Sequence, residues 1–366
     1  MNARAASAIL LVAGLVPAGG YAQGGGERRL LARLRASGLR IVHETCRDGN
    51  WDLVMRNADG SEPVNLTRTP HVDELYPKVS PHGRRIAFVA IEGAGRSRAW
   101  NLYCMDADGS NRALVAPHGR QPFWSPDGRL IAFAMGDKRT APEGGYANKG
   151  LYFYDIESRA LTEAPRDDLA GLLAPCFTPD GQWLVASVAE GMGFHHAIAA
   201  IRLHGKEIVP LAKAHLDRGR PLKNIYQCRP DISPDGSRIA WGKDDIDNRL
   251  GYGRRSMYIE TAHIDLSDPH APVTRHTHPV RVKWPQQTYH VDWSPDGRYL
   301  AFSQGPSAPG RVAAARRTLG RDAPGWDLRV VTADPPHTIV QITTDGLSNK
   351  EPDWVPVAPA KGRPQP

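Results

Sequence analysis

Cysteine is scarce in this chain: four in 366 residues, at Cys46, Cys104, Cys176 and Cys228. None forms a Cys-x-x-Cys pair or stands at ligand spacing from a histidine, which argues against a structural zinc site. Each lies in an apolar, strand-like run that suits a small buried thiol. All four are therefore expected to be free, with Cys176 and Cys228 the pair to join if any bridge forms. Beyond the N-terminus no apolar run reaches the roughly 20 residues of a membrane-spanning helix, so no span is expected. A Gly-x-Ser-x-Gly nucleophile motif is also missing. So is the interleaving of basic and aromatic residues that single-stranded nucleic acid requires, and no nucleic-acid partner is expected.

Glycine (36) and proline (31) are plentiful, as many tight turns between short strands would demand. Apolar residues at 41% and charged residues at 23% fit a folded, globular chain. The first residues read as an export signal. Arg4 supplies the positive start, an apolar stretch runs from Ala5 to Val16, and small residues precede a cleavage point after Ala22. The mature protein is then expected in the periplasm or outside the cell.

The strongest signal is an internal repeat. Val79-Ser80-Pro81-His82-Gly83, Trp124-Ser125-Pro126-Asp127-Gly128 and Phe177-Thr178-Pro179-Asp180-Gly181 share one pattern, continued by Ile232-Ser233-Pro234-Asp235-Gly236 and Trp293-Ser294-Pro295-Asp296-Gly297. Proline fixes φ at the first corner, aspartate accepts local backbone hydrogen bonds, and glycine supplies positive φ at the exit. A β-rich run follows each copy, as in Ile86-Ala87-Phe88-Val89. Hairpins such as Asn57-Ala58-Asp59-Gly60-Ser61 and Asp106-Ala107-Asp108-Gly109-Ser110 recur downstream. Four antiparallel strands per unit predict an all-β, six-bladed β-propeller. Segments 39–46, 51–56 and 64–67 lack only an innermost strand, and 352–356 is such a strand with nothing after it. Pairing the C-terminal strand with the N-terminal strands closes the ring and hides its edges. The organisation read from this is a signal peptide over 1–22, a short linker over 23–38, a propeller over 39–357 and a disordered tail over 358–366.

The aromatic-Ser-Pro-Asp-Gly turn, the Arg/Lys-x-Ile-Ala-Phe strand and the Asn-x-Asp-Gly-Ser hairpin together resemble the propeller repeats of the TolB-like family. Asp73 to Val89 and Asn101 to Ser110 carry the likeness best. The resemblance implies a stand-alone propeller without TolB's N-terminal domain. It leaves function open, because such propellers serve as binding platforms, protease gates and lyase scaffolds.

Five long connections, 136–149, 212–228, 244–255, 277–288 and 305–325, are expected on one end of the ring, where binding usually resides. They hold 16 Lys and Arg against 7 Asp and Glu. A basic face suits an envelope or extracellular protein, or an anionic glycan, as partner of a monomer. Aligning the inner strands brings Tyr76, Gln121, Ala174, Arg229, His290 and Glu351 to equivalent places near the channel mouth, and Tyr76, Gln121, Arg229, His290 and Glu351 are the candidate ligand-binding residues. Two residues on come Lys78, Phe123, Cys176, Asp231, Asp292 and Asp353. Asp231, Asp292 and Asp353 are candidates for a divalent cation such as calcium, or for fastening adjacent blades; no cofactor is assigned. His195, His196, His215, His276, His278 and His290 are expected in or beside connections on the loaded face. The main expectation is a non-catalytic binding module. The alternative is a lyase for acidic polysaccharide, with His290, Arg229 and Glu351 as its catalytic candidates.

Overall fold

The computed structural model describes residues 24–94, 98–136, 148–164, 166, 169, 172–191, 194–212, 216–217, 220–221, 227–245, 256–268, 270–283, 286–306 and 325–357. They form six four-stranded antiparallel sheets arranged as blades. From inside outward, blade 1 is Asp73–Val79, Arg85–Glu92, Ala99–Asp106 and Ala113–Pro117. Blade 2 is Gly119–Trp124, Leu130–Gly136, Asn148–Asp155 and Leu161–Glu163, and blade 3 is Leu172–Phe177, Trp183–Gly191, Phe194–Arg202 and Ile208–Ala212. Blade 4 is Gln227–Ile232, Arg238–Asp245, Ser256–Ile264 and Val273–Lys283. Blade 5 is Gln286–Trp293, Tyr299–Pro306, Asp327–Thr332 and Ile339–Gln341. Blade 6 takes its innermost strand, Ser348–Val355, from the C-terminus, and adds Arg40–Arg47, Asn50–Asn57 and Val64–Asn65 from the N-terminus. Ile41 pairs with Trp354 and Val42 with Asp353, so the ring closes as the sequence implied.

Each seam between blades has its own apolar cluster. Val42, Leu53 and Met55 of blade 6 meet Ile86 and Phe88 of blade 1, and Ala87 and Leu102 of blade 1 meet Trp124, Ile131 and Phe133 of blade 2. A fully buried side chain of this size contributes about 1.5–3 kcal/mol through burial. No single core exists. Stability is shared around the ring.

The repeated turn works as its composition requires. In blade 2 the Ser125 hydroxyl donates to Asp127 at 2.5 Å and accepts the Leu130 N–H at 2.9 Å. Asp127 in turn accepts the Arg129 N–H at 3.0 Å, and Gly128 has a φ of 70°. His82 takes the aspartate's place in blade 1, and there its ring lies 3.1 Å from the Asp127 carbonyl of the next blade.

Two expectations are corrected. The segment read as a linker carries a helix, α1 (Gly25–Ser37), closed by Gly38 at φ 69°. Leu30 and Leu34, four residues apart on one face, pack on Tyr299, Val340, Ile342 and Trp354 and cover the seam of blades 5 and 6. Glu27 in the first turn and Arg35 in the last suit the helix dipole. The stretch 277–288, read as a long connection, is mostly strand: Val273–Lys283 ends blade 4 and Gln286–Trp293 begins blade 5. Pro279 lies within the first of these strands, which tolerates it because the strand is outermost and one edge needs no partner. The tail 358–366, the signal 1–22, and much of the other long connections lie outside the described residues.

Glycine is indispensable at one outer hairpin. Gly60 has a φ of 89°, and a side-chain carbon there would lie 2.1 Å from the Ile342 carbonyl oxygen of blade 5. Gly49, at φ 80°, faces open space. Gly49→Ala is therefore expected to cost about 1 kcal/mol from backbone strain alone, and Gly60→Ala about 2–3 kcal/mol because strain and collision combine. Denaturant unfolding of the two variants beside the parent checks this; equal losses would show that the seam yields freely.

Candidate functional site

The six aligned mouth positions share a backbone conformation that no β-strand predicts. Tyr76, Gln121, Ala174, Arg229, His290 and Glu351 have φ of 56°, 54°, 43°, 56°, 52° and 52°. Each sits where the innermost strand slips register against its neighbour, as between Leu75 and Lys78 or between Tyr289 and Val291. A bulge bends the strand and re-aims the bulged side chain. Here it occurs six times, once per blade. Left-handed backbone at a residue other than glycine costs about 1–2 kcal/mol, and at several bulges a hydrogen bond from a neighbouring blade or strand holds it. Gln121 Oε1 accepts the Ala174 N–H at 2.8 Å, Ser187 Oγ accepts the Arg229 N–H at 2.8 Å, and Glu44 Oε2 accepts the Tyr76 N–H at 3.0 Å.

The catalytic candidates meet at the axis. Arg229 Nη1 of blade 4 donates to Glu351 Oε2 of blade 6 at 2.6 Å, bypassing blade 5. His290 Nδ1 of blade 5 lies 3.0 Å from the same oxygen, and its Nε2 is 3.5 Å from Lys78 Nζ of blade 1. A neutral imidazole with its proton on Nδ1 satisfies both contacts. Burial, with Lys78 and Arg229 nearby, pulls the His290 pKa down to about 4 despite Glu351. Glu351 falls to about 2, because the charge of Arg229 and the bond from His290 outweigh its burial. Tyr76 lies beneath the Arg229 guanidinium, 5.6 Å from ring centroid to carbon, and Tyr289 lies 4.5 Å from it. Gln121 faces the neighbouring bulge.

One level deeper, the three aspartates fasten consecutive blades. Asp231 Oδ2 accepts the Trp293 N–H at 2.7 Å, Asp292 Oδ2 accepts the Trp354 N–H at 3.1 Å, and Asp353 Oδ2 accepts the Val79 N–H at 2.6 Å. Lys78 supplies their cation. Its Nζ is 2.5 Å from Asp353 Oδ1 and 3.5 Å from Asp292 Oδ1. Among the described residues no group of three or more His, Cys, Asp or Glu is arranged to hold a metal ion. Burial drives the Asp231 pKa up to about 6 and those of Asp292 and Asp353 up to about 7, with mutual repulsion adding to it and Lys78 opposing.

The remaining histidines divide. His276 and His278 lie in the outermost strand of blade 4, not in a connection, and His276 Nδ1 is 2.7 Å from Glu260 Oε1. Residues 195 and 196 are in a strand, with side chains outside the described set, and His215 lies outside it altogether. Cys46, Cys104 and Cys176 are in no disulfide, and the side chain of Cys228 is not described. Sequence reading missed Glu44, which burial and Glu351 push up to about 8. The available signal was the polar His43-Glu44-Thr45 run directly after Ile41-Val42, all three residues of which the fold buries.

No protein-family model matches the chain. Over 87 residues it is 31% identical to the Tol-Pal system protein TolB of Methylococcus capsulatus. Its repeats are TolB-like. That match covers 22% of this chain and only 19% of the relative's length. Among solved structures, an oligogalacturonate lyase in complex with manganese superposes with a TM-score of 0.50 at 10% identity, over 85% of this chain and 88% of that one. A chain of a nidogen/laminin complex gives 0.50 at 9%, over 88% and 99%. At such identities the likeness of the TolB-like chain to both is one of fold. No helix among the described residues is long and apolar enough to cross a membrane.

Two outcomes follow from the axial charges. Lys78→Met leaves three buried carboxylates without their cation and is expected to cost about 3–5 kcal/mol at neutral pH, read by denaturant unfolding. The raised aspartate pKa values mean that the folded state holds protons the unfolded state has released. That stabilisation is complete below the unfolded value near 3.8 and is lost as pH rises through 6 to 7. Asp292→Asn removes one such group, so its Tm relative to the parent should climb from pH 5 to pH 8. A constant difference across that range would disprove the assignment.

Proposed function

We propose that the chain is an exported, non-catalytic interaction module that engages an anionic partner through the loop-bearing end of its propeller. One observation carries this reading: the ionisable side chains converging on the axis are bonded to one another. Glu351 is held by Arg229 and His290, and Lys78 by Asp353 and Asp292. A general base must keep a lone pair directed at its substrate, whereas His290 is buried between Glu351 and Lys78.

Charge and topology support the choice of end. Gln286 pairs with Pro306 and Asp73 with Ile91, so innermost strands start where second strands finish. Second strands finish and third strands begin at that end, and the sequence between them in blades 2, 4 and 5 is 137–147, 246–255 and 307–324. These segments account for much of the basic excess, and the whole chain carries +7. The partner is an acidic surface of an envelope or extracellular protein, or an anionic glycan, met by a monomer. Export rests on the sequence of residues 1–22.

A lyase reading has one observation in its favour, the convergence of His290, Glu351 and Arg229 within 3.3 Å of one another. The first reading predicts polyanion binding that weakens steeply with salt. Reversing Arg254 and Arg255, or Arg316 and Arg317, to glutamate should weaken it more than tenfold. Uronic-acid polymers, with or without divalent metal, should yield no ultraviolet absorbance of an unsaturated product. Product formation abolished by His290→Ala would establish the lyase instead.

A further inference from the structure

Arg120 is a half-buried guanidinium with no carboxylate in ion-pair contact among the described residues. It stands one residue before the blade 2 bulge, with its guanidinium carbon 5.0 Å from the centre of the Trp100 ring of blade 1. Its Nε is buried without a hydrogen-bond acceptor. Two other half-buried arginines, one in blade 1 and one in blade 4, have a carboxylate: Arg112 has Glu74 at 2.8 Å and Arg229 has Glu351 at 2.6 Å. Burial depresses the Arg120 pKa, and Tyr76 is the one neighbour that offsets it.

The seam between blades 5 and 6 contains the same arrangement with the missing group present. Lys350, also one residue before its bulge, lies 4.8 Å from the Trp326 ring centre and 5.5 Å from that of Trp51. There the carboxyl of Glu44 feels the lysine's charge. Arg120 instead packs directly against the backbone of Gly136. A side-chain carbon at Gly136 would come within 2.7 Å of Arg120 Nε. A cation buried without a partner is costly. Stacking fixes the guanidinium plane and leaves its edge donors for a planar, bidentate acceptor. Beside it, Trp100 stacks on Tyr76 with centroids 6.3 Å apart, and both rings are half-exposed.

We propose that Arg120 is the anion-recognising residue of a sugar subsite at the seam of blades 1 and 2, and that its ligand is a uronate. The carboxylate takes the guanidinium edge, and the sugar's C–H face packs on Trp100 and Tyr76. A uronate carries an acid and an apolar ring face in one residue, which an aspartate or glutamate side chain does not. The inference rests on the anionic-partner reading above and names its ligand class.

Calorimetric titration of the mature protein with trigalacturonate at low salt tests it. Arg120→Gln and Arg120→Lys should each weaken binding at least tenfold, Trp100→Ala should weaken it too, and maltotriose should not bind. Arg120→Gln should also melt at or above the parent's temperature, because an uncompensated charge is removed; a Tm several degrees lower would make Arg120 a structural residue and overturn the proposal. Undiminished trigalacturonate binding by Arg120→Gln, with loss in the Arg254→Glu, Arg255→Glu double variant, would overturn the subsite and leave the anionic-partner reading standing. No binding of trigalacturonate or of any longer polyanion would remove both. An acidic peptide such as hexaglutamate binding more tightly than the trisaccharide, in an Arg120-dependent way, would overturn the assignment to a sugar.

Discussion

The ammonium of Lys78 stands among carboxylates from three other blades, and the closed ring depends on that placement. Blades of a propeller share no strand ladder with one another, so their angular order must be fixed by side chains. Asp353 and Asp292 each use one oxygen on the backbone N–H of the following blade and direct the other at Lys78. Three carboxylates this close would repel one another and loosen those backbone bonds without a cation between them. Blades 4, 5, 6 and 1 are joined in this way, and the blade assembled from both chain ends lies among them. At the corresponding places blades 2 and 3 carry Phe123 and Cys176, and Phe123 packs within the apolar seam between them. Four of the six positions at this level are therefore ionic, and two are not.

Above this level the bulges do different work. Six left-handed residues in a ring carry a summed strain that a marginally stable protein tolerates only if neighbours hold it in place. The carbonyl of Gln121, the hydroxyl of Ser187 and the carboxyl of Glu44 do so at three of the six, each by accepting the N–H of a bulge. The side chains that the bulges turn toward the axis are thereby placed by backbone geometry, which is why Arg229 can reach past blade 5 to Glu351. Their positions are rigid enough to make an ion pair of 2.6 Å between residues 122 apart in sequence.

The repeat made the architecture legible because every turn carries its own chemistry: Pro126, Asp127 and Gly128 announce their dihedral angles in any context. Equivalence of the inner strands was legible for the same reason, and it placed Arg229, His290 and Glu351 at one height. Pairing was not legible. An alignment gives the blade and level of Lys78 but not the direction of its flexible side chain, so it stood among the aspartates without being recognised as their cation. Local signals that conflict with context also misled. Residues 23–38 read as a linker, although Leu30 and Leu34 needed only the seam of blades 5 and 6 to become a buried face. The stretch 277–288 read as a connection, although most of it is strand.

The two charge systems of the molecule answer to different variables. Along the axis cations and carboxylates neutralise one another, and the carboxylates pushed toward pH 7 adjust their protons as conditions change. At the periphery the positive charge is largely arginine, which stays ionised throughout the accessible range. The helix α1 contributes Arg28, Arg29 and Arg33 to it, all exposed. Attraction of an anionic partner should therefore respond to salt through this surface. A response to pH between 4 and 8 then comes from histidines, from the partner's acids or from loosening of the axis, because the arginines themselves do not titrate there.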